Sequence, residues 1–158
     1  MVVEILNEIR KLDERQLLSY WIEGEYEEAE TYWKLAERSR ELGLPENVVE
    51  TFKRLGDESK MHGDDLLRIY REEYGDELVK VSLPNVESLN VIGKFWKVED
   101  LKDVLDIAME SEKLAETIYR KLAEECDRKT LRETYLKLAD VERGHYETLK
   151  ALRESLGV

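Results

Sequence analysis

Four long stretches of the chain repeat their apolar residues at steps of three and four. That spacing keeps side chains on one face of an α-helix. The first stretch runs from about Glu14 to Leu42, with an inward seam of Leu18, Trp21, Glu25, Glu28, Tyr32, Leu35 or Ala36, and Ser39. Gly43 suits a left-handed stop and Pro45 suits the first turn of a new helix. The second stretch therefore starts near Pro45 and ends near Tyr74, with Gly75 as its stop and a seam of Val48, Phe52, Leu55, Ser59, His62, Leu66 and Ile69. The third runs from Val98 or Glu99 to Glu125, with a seam of Leu101, Leu105, Ala108, Glu112, Ala115, Tyr119 and Leu122. Asp127 is placed to cap the fourth, which continues to Ser155 or Leu156. Its seam is Leu131, Tyr135, Leu138, Glu142, His145, Leu149, Leu152 and Leu156. Ahead of all four, Val2, Ile5, Leu6, Ile9 and Leu12 mark a short amphipathic helical segment, and Asp13 with Gln16 has the pattern of a capping box.

Residues 76–98 break this rhythm. They hold Pro84, Gly93 and short apolar groups without a sustained period. Two helices, a short turn, a long crossover, two helices and a short turn make an all-α, ferritin-like four-helix bundle. The expected layout is a single domain over residues 1–158, with helix pairs 14–75 and 98–156 joined by the crossover 76–98.

The two pairs resemble each other. Adding 87 carries Glu25, Tyr32, Lys34, Leu35, Ala36 and Glu37 onto Glu112, Tyr119, Lys121, Leu122, Ala123 and Glu124. Adding 83 carries Thr51, Leu55, Asp57, His62 and Leu66 onto Thr134, Leu138, Asp140, His145 and Leu149. Two such hairpins would face each other across a pseudo-twofold axis.

Every seam turns polar near its middle and apolar again on both sides. A buried carboxylate or imidazole costs several kcal/mol without a partner, and a metal ion would partner both. A two-metal carboxylate site in a bundle takes one Glu from each of two helices and Glu-x-x-His from each of the others. Glu25 and Glu112 fill the single-Glu places, and Glu142 with His145 is a complete Glu-x-x-His. The second helix departs from the pattern. It keeps His62, but Ser59 stands where the Glu belongs. Glu58 lies one position off the seam as a replacement carboxylate, and Glu28, one turn after Glu25, offers another oxygen. Oxygen ligands with one imidazole per metal suit iron or manganese better than thiolate-seeking metals.

Charge and composition narrow the classes. The net charge of −12 opposes nucleic acid and does not oppose cations. Cys126 is the sole cysteine, so these residues build neither a disulfide nor a Cys-based metal site. No apolar run spans a membrane, and the charged N-terminus does not read as a secretory signal, so a cytoplasmic setting is expected. Trp21, Trp33 and Trp96 read as packing or interface residues.

Together, Glu25-x-x-Glu28-x-x-x-Tyr32, Glu112-x-x-Ala115-x-x-x-Tyr119 and Glu142-x-x-His145 resemble the rubrerythrin branch of the ferritin-like superfamily, over roughly residues 14–156. The resemblance implies two iron (or manganese) ions held by Glu25, Glu28, Glu58, His62, Glu112, Glu142 and His145. It implies Tyr32 and Tyr119 donating hydrogen bonds to carboxylates on the facing helices. It also implies reduction of peroxide or dioxygen, or oxidation of ferrous iron. An external electron donor such as a rubredoxin and a homodimer or higher homo-oligomer complete the expectation. The competing readings are a non-catalytic iron-binding or storage module and a metal-free interaction bundle whose site has decayed around Ser59.

Overall fold

The computed structural model describes residues 2–84 and 91–158. They form five α-helices: α1 Val2–Arg10, α2 Glu14–Glu41, α3 Glu46–Tyr74, α4 Leu101–Glu125 and α5 Lys129–Leu156. No strand occurs among the described residues, and the architecture is an all-α ferritin-like bundle.

The helix ends follow the local chemistry. The Asp13 carboxylate accepts the Gln16 N–H at 2.8 Å, and the Gln16 side chain accepts the Asp13 N–H at 3.0 Å. This closes the capping box and satisfies two otherwise free amides. At the other end of α2, Gly43 takes φ of 70°. The Gly43 and Leu44 amides donate to the Arg40 and Ser39 carbonyls, both at 3.0 Å, the double bond of a Schellman stop. Gly75 and Gly157 end α3 and α5, also with positive φ. Two boundaries differ from expectation. Pro45 stands just before α3 rather than inside its first turn, and its carbonyl accepts the Val48 amide. Asp127 does not cap α5: Arg128 holds the cap position without a side-chain bond, which leaves Asp127 one residue too early to reach the first free amides. Arg128 instead pairs with Glu14 across the bundle end.

The packed interior is divided in two. One apolar cluster, around Trp21, Tyr119, Tyr135, Leu138 and Tyr70, is closed from below by Leu6 and Ile9 of α1. The other gathers Tyr32, Leu35, Phe52, Leu55, Leu105 and Leu149. Between them lies a polar layer.

The crossover links both clusters. Leu78, Val81 and Leu83 pack on the first, and Val91 and Phe95 are buried in the second. Its backbone is held by side chains of the bundle: Ser19 donates to the Val79 carbonyl, Tyr20 to the Pro84 carbonyl and Arg38 to the Phe95 carbonyl. It starts beside the first turns of α2 and finishes beside its last turn, so α4 runs parallel to α3. Part of the crossover, residues 85–90, lies outside the described residues.

The α2–α3 contact is unusually close at two points. A Cβ on Gly56 would sit 2.5 Å from the Trp33 ring, and one on Gly63 would sit 2.7 Å from the Tyr26 ring. Each ring then bonds the aspartate that follows its glycine. Trp33 Nε1 donates to Asp57 at 2.9 Å, and Tyr26 OH donates to Asp64 at 2.6 Å. Both pairs recur at a spacing of seven residues, which returns to the same helix face. In the other hairpin the repeat counterparts of Trp33 and Asp57 are Arg120 and Asp140, which are also bonded, at 3.2 Å. Among the described residues no helix is long and apolar enough to cross a membrane.

Candidate metal centre

The polar layer holds four buried glutamates, Glu25, Glu28, Glu112 and Glu142, together with buried His145 and Ser59. Each sits at a mid-seam position, one or two turns from large apolar side chains, so the packing of those neighbours carries the polar groups inside. Ligand atoms of Glu28, Glu112, Glu142 and His145 all lie within 4.8 Å of one another. Three helices contribute: α2 gives Glu28, α4 gives Glu112, and α5 gives Glu142 and His145.

The imidazole of His145 lies between two sets of acceptors. Its Nδ1 is 3.7 Å from Glu28 Oε1 and 3.7 Å from Glu112 Oε2. Its Nε2 is 3.3 Å from Glu58 Oε2 on α3. Burial alone would push this imidazole down. The nearby carboxylates of Glu112 and Glu58 and the charge of Glu25 outweigh it and push the group up to about 10. Without a metal, His145 is thus the cation of the layer at neutral pH.

Glu112 has its titration shifted downward. Burial would raise it, but its close neighbours Glu142, Glu28 and His145 hold it down to about 2. Its Oε1 also accepts from Tyr32 OH at 2.5 Å. That phenol is pushed well above its ordinary range, first by burial and then by the charges of Glu112 and Glu28. It therefore stays a donor, fixed to a carboxylate on the facing helix. Tyr119 is equally buried, edge-on to Trp21 at 4.8 Å and stacked with Tyr135 at 6.4 Å.

The α3 side of the layer is built differently. Glu58 is half exposed, outside the group of converging ligand atoms, with its other oxygen 3.7 Å from Arg54 Nε. His62 is also half-buried, and its ring centre lies 6.4 Å from that of His145. It borders a cavity of about 50 Å³ between α3 and α5, with Leu66, Ile69, Thr134, Lys137, Leu138 and Val141. Burial and the neighbouring His145 both lower its pKa. Ser59 is fully buried, and among the described residues its hydroxyl has no hydrogen-bond partner. The structure thus brings Glu28, Glu112, Glu142 and His145 into one group. It places Glu25 in the same buried layer, and leaves Glu58 and His62 at its α3 margin.

Sequence reasoning missed the link from Arg54 through Glu58 to His145. The signal available was slight: Arg54 precedes Glu58 by four residues, the spacing of a helical ion pair. The cross-helix half of the link has no sequence signature, because it depends on how α3 and α5 rotate against each other.

The donor set fits hard or borderline divalent cations. It offers carboxylate oxygens and one imidazole, without thiolates. Fully ionised, the four buried carboxylates would carry −4, which the +4 of two divalent cations would balance. Such a layer of carboxylates in an apolar interior is costly unless it is so neutralised.

A solved structure of a hypothetical protein from Pyrococcus furiosus is similar to this chain. It is 28% identical, with a TM-score of 0.69 over 94% of this chain and 93% of that one. No curated protein matches it in a sequence comparison. The family model described as Rubrerythrin matches residues 16–153, from the first turn of α2 to the last turn of α5, and the chain belongs to that family.

Proposed function

We propose that this protein is a two-metal carboxylate oxidoreductase that reduces peroxide or dioxygen, or oxidises ferrous iron, with iron or manganese as its metal. The observation that carries the reading is the buried convergence of Glu28, Glu112, Glu142 and His145 within 4.8 Å, sealed between two apolar clusters. Glu25, in the same layer, is the fifth buried ligand candidate, and His62 with Glu58 supplies the α3 side.

Bound there, a pair of iron ions would supply the one-electron steps that side chains cannot. The chain's own groups do the rest. Glu28, Glu112 and Glu142 neutralise the cations. Tyr32 orients Glu112 by a short hydrogen bond and keeps its proton, so the carboxylate stays available as an acceptor. The apolar clusters above and below exclude bulk water, which strengthens each charge interaction inside. Reduction of peroxide or dioxygen would need an electron donor, and these residues, with one cysteine, do not themselves build a four-cysteine iron centre.

The test is anaerobic loading with ferrous iron, metal analysis, and then rapid mixing with hydrogen peroxide. The expected result is close to two irons per chain and oxidation complete within seconds. Less than about half an iron per chain would remove the metal reading. Full loading with no oxidation on mixing would leave a passive iron binder.

A further inference from the structure

Ser59 breaks the repeat inside the buried layer. The shift of 83 that carries His62 onto His145 carries Ser59 onto Glu142, so a hydroxyl stands where the other hairpin holds a carboxylate. Ser59 is fully buried, and among the described residues its Oγ bonds to nothing. A hydroxyl on a helix commonly turns back to the carbonyl four residues earlier. Thr31, Ser39, Thr51, Thr117 and Thr134 all do so in this chain, at 2.6–3.0 Å. Ser59 does not, and its seam position faces the layer. A buried hydroxyl without a partner is destabilising, and an acceptor placed beside it would remove that cost.

The two side chains differ by a defined fragment. Seryl Oγ takes the place of glutamyl Cγ, and what is missing is one carboxylate group. Formate is that group as a free ion. The cavity between α3 and α5 borders His62, one turn from Ser59, and Lys137 in its wall offers a positive charge to an entering anion. We propose that the α3 corner of the layer binds a small exogenous monocarboxylate of formate size, which accepts a hydrogen bond from Ser59 and supplies the oxygen ligand that the second Glu-x-x-His lacks. The proposal rests on the metal-binding reading above and goes beyond it in adding an anion to the site. It also fixes an order of binding. An anion entering the metal-free layer meets four buried glutamates and is repelled, so it follows the cations. Leu55 and Phe52 on the same helix are fully buried, so a longer acid meets an overpacking cost.

Zinc is a suitable probe because it is redox-inert and takes imidazole and carboxylate ligands. Zinc affinity is measured at constant ionic strength with and without formate, and the NMR line width of ¹³C-formate is followed with metal-free and zinc-loaded protein. Formate at a tenfold excess over its own dissociation constant should raise wild-type zinc affinity about tenfold by linkage. Propionate at the same concentration should not, and metal-free protein should leave the formate line sharp. Ser59→Glu, which supplies the carboxylate covalently, should bind zinc equally with and without formate. Ser59→Ala, which keeps the space but not the donor, should weaken formate binding about tenfold or more. Zinc affinity indifferent to formate, an equal formate effect in Ser59→Glu, an undiminished effect in Ser59→Ala, or formate broadened by the metal-free chain would each overturn the proposal. If circular dichroism shows that Ser59→Glu does not fold, wild type against Ser59→Ala decides alone. Wild-type protein that takes up neither zinc nor ferrous iron would defeat the metal-binding reading, and this proposal with it. Zinc uptake that formate leaves unchanged defeats only the proposal.

Discussion

At the scale of single residues, the layer is governed by where protons sit. His145 is pushed up to about 10 in the metal-free chain, so it is protonated at pH 7. A ligand must shed its proton before it can bind a metal. Metal uptake at pH 7 should therefore release at least one proton per chain, and affinity should rise with pH until about 10. Titration in weak buffer with an indicator dye checks this, and uptake without acidification would contradict it. The same shift fixes a stability trend. A raised folded-state pKa stabilises fully below 6.5, the ordinary value, and its contribution is lost as pH climbs through about 10. The metal-free protein should accordingly melt lower at pH 9 than at pH 6. Two substitutions separate ligand from helper. Glu112→Ala should remove most metal binding, a loss beyond the ~10–100-fold typical of outer partners, while far-ultraviolet circular dichroism stays helical. Tyr32→Phe should fall within that smaller range, since it removes only the 2.5 Å bond to Glu112. Unchanged metal content in Glu112→Ala would show that Glu112 is not a ligand.

At the scale of elements, the two hairpins share a pattern but differ in how tightly they close. The glycines of α3 decide this. Ala is the better helix former by about 1 kcal/mol, yet Gly56→Ala would drive a methyl group to 2.5 Å from Trp33. Overpacking of this kind costs about 1–3 kcal/mol, so the substitution should lower the melting temperature. Gly144→Ala on α5 meets nothing within 4 Å and should raise it. Thermal melts of both variants, without metal, would show whether close approach outweighs propensity at the first site only. These contacts also mark the limit of what the sequence reveals. The helices were legible from their seams, and the stops at Gly43 and Gly75 from glycine chemistry. The Asp13–Gln16 box was legible because both partners lie three residues apart. Asp127 misled because a good capping residue beside a helix start is not the same as a residue in the cap position. The rings over Gly56 and Gly63 could not be read, since Tyr26 and Trp33 pair with them only through the α2–α3 approach.

At the scale of the whole molecule, the seams placed Glu25, Glu28, Glu112, Glu142 and His145 in a single buried layer, because burial follows helical phase. The phase could not place Glu58. One position off a seam, helical phase does not decide whether a side chain turns inward or outward, and here the rotation of α3 against α5 sets it beside Nε2 of His145. Nor could periodicity show that Val91 and Phe95 of the crossover would be buried, since they lie in no regular pattern. The family match covers both hairpins, which accords with a layer that takes residues from each. A metal that binds only the folded layer must stabilise the whole chain by mass action, by about 2.7 kcal/mol at a hundredfold excess over its dissociation constant. Adding ferrous iron or zinc should raise the melting temperature, and a chelator should reverse the rise.

The division of the interior has a consequence for cooperativity. Two apolar clusters joined across a layer of carboxylates resemble two small proteins sharing four helices. Without metal, that layer is a fault plane. The half with α1, Trp21 and Tyr135 can loosen while the half with Phe52 and Leu105 stays closed, and the crossover is then the tie between them. Calorimetric unfolding of the metal-free chain should exceed its van't Hoff enthalpy, the mark of a transition that is not all-or-none. Ions placed in the layer would weld the halves, and the two enthalpies should converge.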